Sequence, residues 1–386
     1  MKNVGLCIVY KNCNYGSILQ SYATLLKLQS LGCDYEIIRY TPTKNMKFYL
    51  KAIPRLLNRD MIYGKARALK RKIGKKIHRE FASNDRIREK KFHEFVEDNF
   101  EHFSRVIHEY SELQEYAYTF SDVLVGSDQL WLPSGLATNF YNLRFVPDGV
   151  NKIAYSASFG VSKIPSYQRS RTKEYLSRIN HLSVREQAGA RIIKDLTGRD
   201  AQVILDPTMI IERETWDNYI PDKEIVIGDY IFCYFLGNNP SQRDEVRKLA
   251  AEKNLKIVVL RHLDEYISRD ENFGDIAPYD IGPAEFVNLV RHAKYVCTDS
   301  FHGSVFSIIY HKQFISFSRY AEGTNSRNSR LDTLFNNIGI SRRYKSNLSE
   351  DIDELINWDY VEEKLQLLRK SSSDYIENAI GTSSNK

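Results

Sequence analysis

Short apolar runs alternate with amphipathic stretches along most of this chain. Val4–Tyr10 reads as a buried strand, and Lys11–Gly16 as a polar turn. From Ser17 to about Leu31 apolar residues recur near helical spacing, at Ile18, Leu19, Tyr22, Leu25 and Leu26. Ser17 is the expected cap of that helix and Gly32 its stop. Tyr35–Arg39 is the next strand, and the β-loop-α-β opening predicts a parallel sheet. The connecting loop holds one glycine, Gly16, so a dinucleotide fingerprint is absent. Its helix mouth still suits an anion.

The strand pattern returns at Val123–Val125, Lys152–Tyr155, Leu182–Val184 and Val203–Leu205. Each run finishes in chemically capable residues: Gly126-Ser127-Asp128-Gln129, Ser156-Ala157-Ser158, Arg185-Glu186 and Asp206-Pro207-Thr208. In a parallel sheet these ends share one edge, where open α/β sheets bind ligands. A second unit follows a linker at Ile210–Lys223. It has strands at Ile231–Leu236, Lys256–Leu260, Tyr295–Cys297 and Phe314–Phe317. Ser241 with Asp244 resembles a capping box, and Pro283 sits in the first turn of another helix. Tyr295–Ile309 is the densest stretch: a strand, then Thr298, Asp299, Ser300, His302 and Gly303, then a helix. A histidine at a helix mouth either moves protons near neutral pH or is a satisfied structural residue. Thr324–Arg330 reads as a polar loop, Leu331–Ile338 as a helix, Asp351 to about Ile376 as one or two helices, and Gly381–Lys386 as disordered.

Lys44–Lys91 differs in kind. Basic residues including Lys65, Arg67, Lys70, Arg71, Lys72, Lys75, Lys76 and Arg79 interleave with Leu56, Leu57, Ile62, Leu69, Ile73 and Ile77. This reads as a basic amphipathic helical insertion: either a solvated hairpin or a surface for an anionic membrane face. No nucleic-acid module surrounds it, so nucleic acid is not an expected partner. The 386 residues favour two domains, and a hydrophobic content of 42% with 27% charged residues fits a globular protein of net charge +6. Five cysteines at irregular spacing form neither a disulfide framework nor a zinc pattern, so no metal is expected and the cytoplasm is the expected compartment. The first apolar run is too short for a signal peptide.

Taken together, the chain resembles the polysaccharide pyruvyl transferase family. The resemblance is carried by Asn14-Tyr15-Gly16-Ser17-Ile18-Leu19-Gln20, Gly126-Ser127-Asp128-Gln129-Leu130-Trp131 and Tyr155-Ser156-Ala157-Ser158-Phe159-Gly160. Ser183-Val184-Arg185-Glu186, Asp206-Pro207-Thr208, Thr298-Asp299-Ser300-Phe301-His302-Gly303 and Ser329-Arg330-Leu331 continue it in order. It implies an α/β fold of two Rossmann-like domains, GT-B-like, with the basic helical insertion in the first. The expected boundaries are 1–210 for the first domain with the insertion at 44–105, 224–345 for the second, and 351–380 for C-terminal helices. It implies transfer of the enolpyruvyl unit of phosphoenolpyruvate onto two hydroxyls of a sugar. The acceptor would be a hexose or N-acetylhexosamine of a surface polysaccharide or of its lipid-linked precursor. Phosphoenolpyruvate is then a co-substrate, and no cofactor is required. With a lipid-linked acceptor, a basic amphipathic element would hold the protein on the inner face of the membrane.

That chemistry assigns roles. Arginine bonds carboxylate and phosphate bidentately, which suits Arg185 and Arg330 to the donor. Arg327, three positions away, competes with Arg330 for the match. His302 is the candidate general acid toward the methylene carbon, or the donor to the leaving phosphate. Asp128 is the first candidate base, with Asp299 and Asp206 as rivals, and Asp206 also suits bracing a turn. Asn14, Ser17, Ser127, Asp299 and Ser300 are expected substrate contacts, while Trp131 and Tyr155 suit core packing better than sugar stacking. A GT-B glycosyltransferase with a nucleotide-sugar donor is the alternative, with Glu285 or Asp299 available for ribose. A non-catalytic assembly protein would be expected to have lost Arg185, His302 or Asp128, and all three are present.

Overall fold

The computed structural model describes residues 2–43, 59–134, 138–261, 266–319, 329–342, 344 and 347–381. The expected elements at 44–58, the loop with Arg327 and the tail at 382–386 lie outside the described residues.

Among the described residues, the first sheet has seven parallel strands in the order β3-β2-β1-β4-β5-β6-β7. These are β1 (Asn3–Cys7), β2 (Asp34–Tyr40), β3 (Phe103–Ile107), β4 (Asp122–Val125), β5 (Asn151–Ala157), β6 (His181–Val184) and β7 (Gln202–Val203). The second sheet orders β11-β10-β8-β9, also parallel: β8 (Tyr230–Tyr234), β9 (Lys256–Val259), β10 (Tyr295–Thr298) and β11 (Gln313–Ser316). In both sheets the chain order reverses beside the first strand, leaving a crevice at the carboxyl ends.

The helices between them are α1 (Tyr15–Ser30), α2 (Arg59–Ile77), α3 (Arg79–Asn99), α4 (Tyr110–Tyr116), α5 (Ser166–Arg178), α6 (Gln187–Thr197), α7 (Pro207–Ile210) and α8 (Arg213–Tyr219). The second half adds α9 (Pro240–Lys253), α10 (Pro283–His292), α11 (Phe301–Ile309), α12 (Ser329–Ile338), α13 (Leu348–Asp353) and α14 (Trp358–Ile380).

Helix α1 is buried on nearly every side, from Tyr15 to Leu28. It lies between the two sheets and packs on α7, α10 and α11. One apolar core therefore runs from Val4, Leu6 and Ile18 in the first half to Phe232, Phe286 and Val305 in the second. Helix α14 returns to the first sheet: Tyr375 donates to the Ala154 carbonyl at 2.8 Å, and Ser372 Oγ accepts from Leu205 N at 3.0 Å. Trp131 and Tyr155 are core residues, 0% and 1% exposed.

Several local expectations shift. Asn14, not Ser17, caps α1, accepting from Ser17 N at 3.1 Å. Asn239, not Ser241, caps α9, with Pro240 at its first position. Arg330 sits in the first turn of α12 rather than in a loop. Strand β3 falls at 103–107 and pairs with β2, so the described helical insertion ends at Asn99. Nor is that insertion simply a solvated hairpin. Phe92 and Phe95 of α3 enter the core, and Phe92 packs on Tyr15 at 4.8 Å between ring centroids. Arg88, 3% exposed, donates to the carbonyls of Arg261 (2.8 Å) and Pro278 (3.1 Å) in the second half.

Candidate active site

The expected residues converge where the two crevices face each other. Asn14 and Ser17 stand after β1, and Ser127 and Asp128 after β4, on either side of the first reversal. Ser17 Oγ donates to Asp128 Oδ2 at 2.5 Å across that crevice. Asp128 has φ 77°, a left-handed backbone uncommon outside glycine. Such geometry persists only where the surroundings enforce it, as at functional sites. Here Asp128 pairs in a bridge with Ala157, and Ser158 N donates to its carbonyl at 3.0 Å.

Arg185 leaves β6 and is 4% exposed. Its Nη1 donates to Asp206 Oδ2 at 2.5 Å and to Ser127 Oγ at 3.4 Å, and its Nη2 to Asp128 Oδ1 at 3.4 Å. Asp206 caps α7 through Thr208 N (3.1 Å) and Thr208 Oγ1 (2.8 Å) while also accepting from Ser127 Oγ at 2.9 Å. It therefore braces a turn and holds Arg185 at once. Burial pushes Asp206 up, but His302, Arg185 and Thr208 together hold it well below the usual carboxylate range. With these bonds in place it is a poor base. Asp128 is also held below its ordinary value: burial raises it, but Arg185, Ser17 and His302 outweigh that. Its side chain keeps 21% exposure against 0% for Asp206. Of these two carboxylates, Asp128 is the one an incoming hydroxyl could reach.

The second half contributes α11. Ser300 caps it, accepting from Gly303 N at 3.3 Å, and Thr298 Oγ1 donates to the Tyr234 carbonyl at 2.6 Å. Asp299 spans the second crevice, its two oxygens accepting from Leu236 N (2.6 Å) and Gly237 N (2.8 Å). These three hold the helix mouth in place, with Asp299 engaged by two backbone NH groups and by Arg319 Nε at 3.7 Å. The first turn of α11 then presents Phe301 and His302. His302 Nε2 lies 3.6 Å from Asp206 Oδ1 and, among the described residues, has no hydrogen-bond partner. The ring lies against α1, where a Cβ on Gly16 would stand 1.9 Å from His302 Nδ1. Only glycine admits the ring at this distance.

Phe301 lies beside two guanidinium groups, with Arg185 4.9 Å and Arg330 5.5 Å from its ring centroid. Arg330 is 9% exposed, and among the described residues it makes no ion pair with a carboxylate. Gln129, its amide oxygen turned toward the guanidinium, accepts from Nη1 at 3.1 Å and Nη2 at 2.6 Å. Burial, with Arg185 and Arg319 nearby, lowers Arg330 to about 9. Glu186, 1% exposed, is pushed upward by burial despite the pull of Arg185 and Arg330. Its Oε1 accepts from Ser158 Oγ and Phe159 N, both at 3.0 Å, while Oε2 has no hydrogen-bond partner among the described residues. The site thus holds two buried arginines beside an aromatic ring, a histidine and a partly exposed carboxylate, which suits a small anion and a proton donor.

Beside this cluster a cavity of about 470 Å³ opens between the β1–α1 loop, the insertion and the end of β8. Asn14, Lys11, Arg71, Arg88, Glu89 and Leu236 are among its walls. Arg88 Nε is buried there without an acceptor among the described residues. Among the described residues, no group of three or more His, Cys, Asp or Glu side chains is arranged to hold a metal ion.

A profile of the polysaccharide pyruvyl transferase family matches residues 14–320, from the cap of α1 past β11. This chain belongs to the polysaccharide pyruvyl transferase family. A search of curated proteins finds no match. Among solved structures it is similar to a protein described as a UDP-N-acetylglucosamine 2-epimerase from Listeria monocytogenes, with TM-score 0.54, 10% identity, and 98% and 91% of the two chains covered. It is also similar to MnaA of S. aureus in a co-structure with UDP, with TM-score 0.52, 11% identity, and 99% and 98% covered. At these identities the likeness concerns the fold, which is the two-domain GT-B type. Within this pyruvyl transferase-family chain, Gly16, Gln129, Glu186 and Phe301 are site components that carry no role in the sequence reading. Each stands directly beside a residue that does, and that adjacency was the available signal.

Proposed function

We propose that this protein is a phosphoenolpyruvate-dependent transferase that forms a cyclic pyruvate ketal on a hexose or N-acetylhexosamine of a surface polysaccharide or its lipid-linked precursor. The observation that carries this reading is the buried Arg185–Phe301–Arg330 arrangement beside His302. Arg185 is already bound to two carboxylates, whereas Arg330 has charge to spare for an anion. A ligand with both a carboxylate and a phosphate matches two guanidinium groups gathered at one ring.

In this reading His302, adjoining that niche, delivers a proton to the methylene carbon, which becomes methyl. A sugar hydroxyl adds to the central carbon and gives its proton to Asp128, with Ser17 sharing the hydrogen bond. Phosphate leaves with the electrons of its C–O bond. The second hydroxyl then closes the ketal, and its proton leaves with phosphate. The acceptor occupies the cavity lined by Asn14, and phosphoenolpyruvate as co-substrate puts the work in the cytoplasm.

For the nucleotide-sugar alternative, the two carboxylates available for ribose already have backbone partners. Asp299 is bound by Leu236 and Gly237, and Glu285 accepts from Gly282 N at 3.0 Å to box the start of α10. The test is phosphate release from phosphoenolpyruvate with a panel of galactosides and N-acetylhexosaminides, beside His302→Ala. Release that needs both acceptor and His302, with a product one ketal-linked pyruvate heavier, is expected. Calorimetry showing no phosphoenolpyruvate binding, or nucleotide release from a nucleotide sugar instead, overturns the reading.

A further inference from the structure

Helix α2 presents two different faces. Inward, Arg71 donates to Asp85 at 2.7 Å and to Glu89 at 3.2 Å on α3, and Lys75 also pairs with Asp85. Gly74 is buried on the same side, where a Cβ would meet Tyr266 at 3.1 Å. Outward, Leu69, Ile73 and Ile77 are 59%, 47% and 69% exposed. Their i, i+4, i+8 spacing sets them in one stripe over about 80° of the helix surface. Exposed Lys70 borders the stripe on one side, and exposed Lys76 and Lys72 on the other. From Ala66 to Ile77 the sequence carries six basic residues and no acidic one. Single exposed apolar residues need no explanation, but an aligned set with a basic rim does.

We propose that this outer face of α2 is a docking surface for an anionic lipid bilayer, with Leu69, Ile73 and Ile77 entering the interface and Lys70, Lys72 and Lys76 meeting the headgroups. A narrow apolar stripe flanked by lysines is how a helix lies in the plane of a membrane without crossing it. Among the described residues, no helix is long and apolar enough to cross one. A second copy of the chain is the poorer occupant, because a two-fold contact through this stripe would bring like-charged lysine rims together. The opposite side of α2 supplies Arg71 to the 470 Å³ cavity. A docked helix therefore holds the cavity about one helix diameter, ~10 Å, from the headgroups. On the reading given above, that delivers a membrane-anchored acceptor to the site. The docking itself does not depend on that reading.

The experiment is vesicle co-sedimentation of the full chain. Vesicles mix phosphatidylglycerol with phosphatidylcholine, or hold phosphatidylcholine alone. Binding to the anionic vesicles alone is expected, fading as salt rises from about 0.1 M to about 1 M and the screening length falls from ~10 to ~3 Å. Each basic residue at an anionic surface is worth about a fivefold gain in partitioning, so K70Q/K72Q/K76Q should lose about a hundredfold. Ile73→Asp should lose at least about tenfold at low salt. All four residues are exposed, so both variants should fold, and their phosphoenolpyruvate affinity should match the parent's. Equal binding to neutral vesicles, no binding to either, or full binding by both variants overturns the proposal. So does a solution dimer that Ile73→Asp dissolves. Absent phosphoenolpyruvate binding, by contrast, counts against the reaction and leaves the docking result standing.

Discussion

Gly16→Ala is a perturbation that adds one methyl group and removes no chemical function. The new Cβ would stand 1.9 Å from His302 Nδ1, 2.3 Å from Cγ and 2.6 Å from Cε1, where ordinary contact begins near 3.4 Å. The ring must retreat by about 1.5 Å. Because Cγ, the root of the ring, is among the clashing atoms, a simple ring flip does not relieve it. The histidine is 6% exposed, with Phe301 5.1 Å away edge-on and Asp206 at 3.6 Å, so its rotamer must change. The helix itself gains, since alanine is better than glycine inside a helix by ~1 kcal/mol. A displacement above 1 Å at a reacting group costs about 10²-fold in rate. Acceptor-dependent phosphate release should therefore fall about a hundredfold. Phosphoenolpyruvate affinity by calorimetry should stay close to the parent's, since Arg185 and Arg330 hold the anion. The double variant with His302→Ala should be no slower than His302→Ala alone, because both changes act through one ring. A Gly16→Ala protein within about threefold of parental turnover would refute the reasoning, for then His302 does not act from this position.

Three further outcomes follow from the charges. Asp206→Asn leaves buried Arg185 with Asp128 as its remaining carboxylate and should cost about 3–5 kcal/mol in urea unfolding. Asp206 and Asp128 are depressed in the fold, so the stability they give is complete above the ordinary carboxylate range and is lost as pH falls through their folded values. The variant should flatten that acid limb, and an unchanged limb would contradict the assignment. Glu186 is raised, so its effect has the opposite sign: stability declines as pH climbs from its unfolded value to its folded one. Glu186→Gln should then melt higher than the parent at pH 7 and lack this decline, and a lower melting temperature would show that the anion is needed. Arg330→Met should raise the melting temperature of the free protein, because a guanidinium lowered to about 9 carries a burial cost that its bonds to Gln129 do not fully offset. Arg330→Met should also shrink the upshift that phosphoenolpyruvate gives in thermal unfolding, and an unaltered upshift would remove Arg330 from the donor site.

The two-sheet architecture and the convergence of strand ends could be read in the sequence, because apolar runs and the polar residues that end them are local signals. The same is true of Asn14, Ser127, Asp128, Arg185, Asp206 and His302, each placed at the carboxyl end of a strand or the mouth of a helix. Cap choice was not legible at Ser17 or Ser241. Both are good capping residues, yet the preceding asparagines Asn14 and Asn239 took the role. Which of two eligible side chains meets the free NH groups depends on where the strand releases the chain. The differing fates of the acids were equally hidden. Asp299 is spent on two backbone NH groups, Asp206 on Arg185 and a turn, and Glu186 lies where burial raises it, whereas Asp128 keeps an open side. Sequence by itself set the helices and strands, because periodicity and caps act within a few residues. Tertiary structure alone decided which charges are paired, which stay open and how closely Gly16 admits His302. Those energies depend on distance and burial between residues far apart in the chain, and only folding sets them.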